Sequence, residues 1–221
     1  EKRPFFTEGT ELFDKGDIFY SRRIGGEPAK IGQADEQTDS TQVVQKNPTE
    51  TRMINATKIS GRTDNGLGIG FLNALTSEAN AIIKDTLTGQ EETFRTQPFT
   101  NYNMIVLDQS LKNNSFVSLA NTNVHYFKGN YTANVTATEF KLANRENSYQ
   151  LSGRGALTQQ YAGSNHFGHA YHLEFSRTKG NFRFELGHSV ETDTYNPNDF
   201  GYDRRNNNFE QQFELENNIY E

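Results

Sequence analysis

Apolar and polar residues alternate along most of this chain from Thr49 onward. The alternation is clearest where Tyr149 and Leu151 share one parity while Gln150 and Arg154 share the other. Successive side chains of a β-strand point to opposite faces of its sheet, so each such run gives a strand with one apolar and one polar face. The pattern therefore predicts antiparallel strands of roughly ten to fifteen residues each.

Turn residues divide these runs and predict a series of hairpins. Asn65-Gly66 predicts a type I′ turn, in which both central residues have positive φ. Further turns are predicted at Thr88-Gly89, Lys112-Asn113-Asn114, Lys128-Gly129-Asn130, residues 144–147 and Lys179-Gly180. The predicted strands cover residues 52–63, 66–86, 100–111, 115–127, 131–143, 147–161, 167–178, 181–193 and 208–221. Residues 74–83 also have a composition that suits a helix, but their place within a hairpin series favours strand.

The chain divides into two regions by this pattern. Residues 1–50 are predicted to form an irregular opening segment with a polar loop, and within it residues 18–25 predict a short strand. Residues 51–221 are predicted to form antiparallel β-barrel hairpins.

Closure of the sheet explains how so many long strands avoid exposed edges. A soluble sandwich would use shorter strands with turns every 8 to 12 residues, whereas strands of about 9–11 residues span a bilayer. The predicted fold is all-β, an antiparallel up-and-down β-barrel of the outer-membrane type, of which this chain forms an incomplete part. A soluble barrel or sandwich is the alternative, and it is supported by Asn73, Asp108 and His188, which interrupt apolar registers.

Composition and charge exclude several classes of protein. Of the 221 residues, 12% are aromatic, which argues against disorder, although only 33% are hydrophobic. No run reaches the roughly 20 apolar residues of a membrane helix, and no N-terminal segment of the signal-peptide type is present. The 22 basic and 28 acidic residues are mixed along the chain, so no nucleic-acid partner is expected. The absence of cysteine excludes disulfides and thiolate chemistry.

Three histidines, His166, His169 and His172, have a spacing that would gather them on one side of a helix. On a strand, His169 faces away from the other two, and a common site would need a bend at Gly168. We therefore predict lumen or loop histidines and no metal.

Residues 66–70 contain alternating glycines but lack the spacing and the βαβ unit of a dinucleotide loop. We interpret these glycines as positions where the strand curves or side chains pack across it, and we predict no cofactor.

Acidic residues give no clear catalytic pair. Glu91, Glu92, Glu174 and Glu185 lie on different predicted hairpins, whereas a glycosidase needs two carboxyl groups roughly 5–9 Å apart. The sequence contains no serine-nucleophile, P-loop or zinc-protease motif. We therefore assign no catalytic residues.

Arginine side chains are the candidate binding residues of a lumen. Their planar guanidinium binds carboxylates, and rings of charged residues tune pores. The candidates are Arg22, Arg23, Arg62 and Arg154. Structural pairs with Glu139, Glu174 or Glu185 inside the barrel wall are the favoured role.

Several stretches, taken in order, resemble one protein family. They are EKRPFFTEG at 1–9, FYSRRIG at 19–25, ATKISGRT at 56–63, EFKL at 139–142, YQLSG at 149–153 and YNPNDFGY at 195–202 before Arg204-Arg205. They are similar to the β-barrel region of a family of Gram-negative envelope proteins of unassigned function. In that family a carbohydrate-binding family 9-like domain precedes the barrel, and the barrel is longer than this chain.

The resemblance implies an outer-membrane β-barrel segment of a carbohydrate-binding envelope protein. Its role would be structural, anchoring or transport-related, in the outer membrane of a Gram-negative bacterium, and the segment would not be catalytic in itself. The partners expected are outer-membrane lipid, other envelope proteins, and a glycan bound through a domain outside this chain. The alternative is a soluble β-domain of a carbohydrate-active protein that binds or hydrolyses glycans.

Overall fold

The computed structural model describes residues 11–218, in which twelve antiparallel strands form. They are β1 (Gln42–Lys46), β2 (Met53–Arg62), β3 (Leu67–Thr76), β4 (Ala79–Asp85), β5 (Glu91–Gln97), β6 (Thr100–Leu111), β7 (Ser115–Tyr126), β8 (Tyr131–Ala143), β9 (Tyr149–Tyr161), β10 (Asn165–Arg177), β11 (Phe182–Glu191) and β12 (Asn208–Asn217). A 3-10 turn (Ser21–Arg23) and one α-helical turn, α1 (Gln33–Glu36), complete the secondary structure. No helix among residues 11–218 has the length and apolar character that a membrane span requires. The all-β, antiparallel class predicted from the alternation is confirmed.

The strands form two sheets joined by one long hairpin. Nine strands follow the order β2-β3-β6-β7-β8-β9-β10-β11-β12, and three follow β1-β4-β5. β3 leads into β4 and β5 leads into β6, so the hairpin passes from the large sheet to the small one at Ser77 and at Pro98. Proline cannot donate to a strand ladder, which explains why the pairing is interrupted there. From β6 to β12, each strand pairs with the next one in sequence, as the predicted hairpins require.

Several segments differ from the sequence predictions. Residues 18–25 contain the 3-10 turn and not a strand, while β1 lies within a segment that was expected to be irregular. β5 was not predicted, and the predicted strand 66–86 is interrupted at Ser77-Glu78. β1 and β5 are edge strands with mostly polar side chains, and periodicity does not separate such strands from loops. The preference for strand over helix at residues 74–83 is confirmed.

The hairpin at Asn65-Gly66 is confirmed, but its predicted turn type is wrong. Of these two residues, Gly66 alone has a positive φ, 81°, and its N–H donates to the carbonyl of Thr63 at 2.9 Å. This geometry fits a type I turn followed by a left-handed glycine. Positive φ at both central positions occurs instead at Asn113-Asn114, with 58° and 55°, as a type I′ turn requires.

One face of the large sheet, the inner face, is covered by an N-terminal strap formed by residues 11–24. Phe13, Ile18 and Ile24 of this strap are buried and pack with the sheet in one cluster. Small side chains make room for the strap, because directly opposed positions on five neighbouring strands form the row Val106, Ala120, Ala137, Ala156 and Ala170. A Cβ on Gly16 of the strap would lie 2.6 Å from the Cβ of Ala137. The apolar core therefore lies between the strap and the sheet.

The alternating glycines of β3 also make room for the strap on the inner face. A Cβ on Gly68 would lie 2.7 Å from Cδ2 of Leu12, and one on Gly70 would lie 3.1 Å from Cζ of Phe13. Strap side chains thus cross β3 where it has no side chains, which confirms the structural interpretation of residues 66–70.

Among residues 11–218, the large sheet is open. β2 and β12 each pair with one neighbour, and all residues of β12 are exposed. Neighbouring strands are antiparallel throughout, so the first and ninth strands of the sheet run in the same direction.

Candidate functional site

Asp108, on the inner face of β6, ties the strap to the sheet. Its side chain is 5% exposed and forms ion pairs with Lys15 of the strap, at 3.4 Å between Nζ and Oδ2, and with Arg62 of β2. Arg62 also donates to the carbonyl of Gly66 at 2.8 Å and to Oγ of Ser110 at 2.9 Å. A buried carboxylate is costly unless it is paired and hydrogen-bonded. These contacts explain an acidic residue in an otherwise apolar register.

The other predicted arginines lie at separate points of the molecule. Arg154 of β9 is directly opposite Glu139, the expected partner, but its ion pair is with Asp17 of the strap. Arg23 donates to the carbonyl of Gly201 at 3.0 Å and to Oδ1 of Asn198 at 3.1 Å, and Arg22 is exposed. The structure therefore does not gather the four arginines in one binding site, and three of them join segments distant in sequence.

A loop between β11 and β12, residues 195–201, covers one end of the inner face. Asp199 of this loop accepts hydrogen bonds from the hydroxyl of Tyr131, at 2.8 Å to each oxygen, and from Nε2 of Gln160 at 3.0 Å. Burial raises the pKa of the Asp199 carboxyl. Phe200 is buried between Phe19 and Tyr102, with ring centroids 5.3 and 5.2 Å away.

Gly168 of β10 permits this loop to cross the sheet. A Cβ at this position would lie 2.4 Å from the carbonyl carbon and oxygen of Thr194 and from the nitrogen of Tyr195. The glycine therefore accommodates the loop backbone, and β10 does not bend there to gather histidines.

The histidines follow the strand geometry expected from their spacing. β10 runs unbroken from Asn165 to Arg177, so His166 and His172 lie on the inner face and His169 on the other. No group of three or more potential metal ligands is found among residues 11–218. Glu91 and Glu92 lie in the small sheet while Glu174 and Glu185 lie in the large one, so these four carboxylates do not converge.

A cavity of about 440 Å³ opens between the strap, strands β9 to β12 and the loop that follows β11. This volume is within the range of small-molecule sites. Its lining includes aromatic side chains, namely Phe19, Tyr20, Tyr195 and Tyr202, and polar side chains, among them Arg154, His172, Glu191 and Glu210. Burial raises the pKa of Tyr195 to about 12, so its hydroxyl is neutral at pH 7 and able to donate.

The opposite, outer face of the large sheet exposes large apolar side chains on every strand. They include Ile59, Phe71, Ile105, Leu119, Leu142, Leu151, Leu173, Leu186 and Phe213. Pairing registers place these residues on one side, since directly opposed residues of neighbouring strands share a face. The outer face is thus apolar where the inner face is either polar or covered by the strap.

A polar row limits this apolar face at one end. Five directly opposed positions form the row Asn73, Asn103, Asn123, Asn134 and Gln159. Nδ2 of Asn73 donates to Oδ1 of Asn103 at 2.7 Å, and Nδ2 of Asn134 donates to Oε1 of Gln159 at 3.1 Å. Asn73 therefore belongs to an ordered polar row and is not an isolated defect.

The full chain, residues 1–221, matches the family described as Domain of unknown function (DUF5916). The chain belongs to this family. Neither curated proteins nor solved structures yield a match to it.

Sequence reasoning on this DUF5916 chain missed the residues that hold the inner face together. Lys15, Asp17, Asp108 and Asp199 join the strap or the loop to the sheet, and their partners are up to 137 residues away in sequence. A polar residue within an apolar register, such as Asp108, was the one sequence signal that could have indicated these contacts. The strap residues carried no such signal, because an irregular segment has no periodicity.

Proposed function

We propose that this DUF5916 chain is a segment of an outer-membrane β-barrel with a structural, anchoring or transport-related role, and that it is not catalytic in itself. The outer face carries the proposal, because large apolar side chains are exposed across all nine strands of the sheet. Exposed apolar surface of this extent marks an interaction site in proteins. An apolar outer band opposite a polar interior is typical of barrels that cross the outer membrane.

Strand length and the border of the apolar face support the same function. β6 to β10 have 12 or 13 residues each, more than the roughly 9–11 needed to cross a bilayer. The last apolar residue before the polar zone is Ile105 in β6, Leu119 in β7 and Phe140 in β8. Ile105 lies opposite Asn121 and Leu119 lies opposite Thr138, so the border moves by two residues per strand from β6 to β8. Strands tilted to a flat lipid boundary produce such a shift.

Single tryptophans test the proposal directly, because the natural chain has none. Leu151→Trp places the probe on the outer face of β9, and Ser152→Trp places its matched control on the inner face of the same strand. After reconstitution in phospholipid vesicles, we expect blue-shifted emission and strong quenching by brominated acyl chains for Leu151→Trp, with much weaker quenching for Ser152→Trp. Equal quenching of the two, or a monomer that folds without detergent and ignores vesicles, would refute membrane insertion.

The cavity on the inner face supports a second function, that of a soluble β-domain that binds glycans. Aromatic rings such as Tyr20 and Tyr202, whose centroids are 5.2 Å apart, lie beside polar groups in a space large enough for a small molecule. This function requires the chain to fold as a monomer in detergent-free buffer. The tryptophan experiment therefore separates the two functions.

A further inference from the structure

An uncharged amide surface lies on the outer face of the large sheet, directly beside the apolar side chains. It consists of the polar row Asn73, Asn103, Asn123, Asn134 and Gln159 together with Asn101 and Asn121, which the pairing registers place on the same face. All seven side chains are half-buried, and they lie on the neighbouring strands β3, β6, β7, β8 and β9. Contact of such polar groups with lipid tails is costly. In the membrane-inserted chain, the amide surface therefore marks the level at which the outer face leaves the hydrocarbon.

Part of the hydrogen-bonding capacity of the amide surface is unused. Each amide offers two donors and an oxygen that accepts two hydrogen bonds. Bonds within the surface occupy some of these groups, such as the one from Nδ2 of Asn73 to Oδ1 of Asn101 at 2.8 Å. Within residues 11–218, Nδ2 of Asn103, Nε2 of Gln159 and Oδ1 of Asn121 form no hydrogen bond. Both donors and acceptors thus remain for a ligand rich in hydroxyl groups.

Aromatic rings of β9 and β10 border the amide surface. On the outer face of β9, Leu157, Gln159 and Tyr161 follow one another, so the ring lies on the side away from the apolar face. Tyr161 contacts Phe167 with 6.0 Å between ring centroids, and the two side chains are 40 and 55% exposed. Flat rings beside amides suit sugars, which have apolar C–H faces and peripheral hydroxyl groups. The amide surface itself carries no Lys or Arg, the residues that bind phosphate best, which favours an uncharged ligand.

The connections between strands indicate which end of the sheet faces the cell exterior. Both long connections leave the end that carries the amide surface, namely the small sheet between β3 and β6 and residues 192–207 between β11 and β12. The connections at the opposite end are residues 63–66, 112–114, 144–148 and 178–181, each three to five residues long. Outer-membrane barrels have short turns on the periplasmic side and longer loops outside. This arrangement places the amide surface at the outer leaflet.

We propose that the amide surface binds the headgroup of an outer-leaflet lipid that carries a neutral sugar. The amides donate to and accept from the sugar hydroxyls, the rings of Tyr161 and Phe167 contact the sugar faces, and the lipid tails cover the adjoining apolar side chains. Because the amide surface continues directly into the apolar face, it suits a lipid-linked sugar better than a free glycan. This inference names a ligand of the proposed membrane segment and therefore rests on the proposed function.

Energy transfer from a single tryptophan tests the sugar preference. Tyr161→Trp places the only tryptophan of the chain beside the amide surface. The protein is reconstituted in phosphatidylcholine vesicles with a trace of dansyl-labelled digalactosyl diacylglycerol, phosphatidylcholine or phosphatidylglycerol, each labelled on an acyl chain. We expect at least about threefold enrichment of the galactosyl lipid over phosphatidylcholine around the protein. Asn103→Leu/Asn134→Leu should abolish this preference, whereas Gln33→Leu/Gln37→Leu, which removes two amides at exposed residues outside the large sheet, should keep it.

The outcomes separate sugar binding from membrane insertion. Insertion is measured on its own by Leu151→Trp and brominated lipid, and both double variants should remain inserted. Asn103→Ser/Asn134→Ser gives the same test if the leucines unfold the chain, because one hydroxyl does not replace an amide. Equal enrichment of the galactosyl lipid and phosphatidylcholine around inserted protein, or a preference that survives the substitutions at both asparagines, would overturn sugar binding alone. So would a preference for phosphatidylglycerol, or one that an equal concentration of free digalactose abolishes, since phosphate or a soluble glycan would then be the ligand.

Discussion

Glycine occurs in this chain where another segment passes too close to leave room for a side chain, as Gly168 shows. Its position in β10 needs no unusual φ, yet a side chain there would enter the backbone of Thr194 and Tyr195. Gly70 leaves room for the side chain of Phe13, and Gly16 lets the strap approach Ala137. In a sheet whose inner face is covered by irregular segments, glycines therefore mark the places where the covering segments come closest.

Gly168→Ala should therefore destabilise the protein. The added Cβ would lie 2.4 Å from backbone atoms, which have no rotamer to escape into, so the loop must move and we expect a loss of about 1–3 kcal/mol. Gly155→Ala is the matched control on the neighbouring strand, because the nearest atoms to its Cβ would be 3.9 Å away. Urea titrations that gave equal midpoints for the two variants would contradict this account of the loop.

The strap is the element that makes the inner face a core. Phe13→Ala should release it, because Phe13 is fully buried and Phe to Ala in a core costs about 3–5 kcal/mol. We expect faster trypsin cleavage after Lys15, with the β6 to β9 region still protected. Leu87→Ala, at a side chain that is 80% exposed, provides the control and should leave the cleavage rate unchanged. Unchanged cleavage in Phe13→Ala would mean that the strap does not depend on this contact.

The elements also show what a sequence of this type can predict. Strands β6 to β12 follow from alternation and turn residues, because each of them has two faces with different surroundings. β1, β5 and the strap do not follow, since their positions depend on partners distant in the chain and their own residues are mostly polar or irregular. Arg62 and Arg154 lie on predicted strands, but their ion-pair partners, Asp108 of β6 and Asp17 of the strap, could not be deduced from local pattern.

On the scale of the whole molecule, Asp199 connects the loop after β11 with β8 and β9, which strand pairing alone does not bring into contact with that loop. It belongs to the loop after β11, and its carboxylate is bound by Tyr131 of β8 and Gln160 of β9. The same loop inserts Phe200 against the strap. Protonation of this one carboxyl therefore affects the attachment of the strap, the loop and the sheet to one another.

Stability should consequently fall with rising pH through the titration of Asp199. Burial raises its pKa in the folded chain above the ordinary value of 3.8, so the folded state holds this proton more tightly than the unfolded state does. The resulting stabilisation is complete below the unfolded pKa and is lost as pH rises to the folded one. Asp199→Asn cannot ionise and should lack this contribution, so the free energy of unfolding of the natural chain should fall relative to that of the variant as pH rises above about 4. Asp193→Asn, at an exposed side chain, controls for the change in net charge. A difference between natural chain and Asp199→Asn that stays constant, or that grows in favour of the natural chain as pH rises, would show that the hydrogen bonds from Tyr131 and Gln160 outweigh the cost of burying the charge.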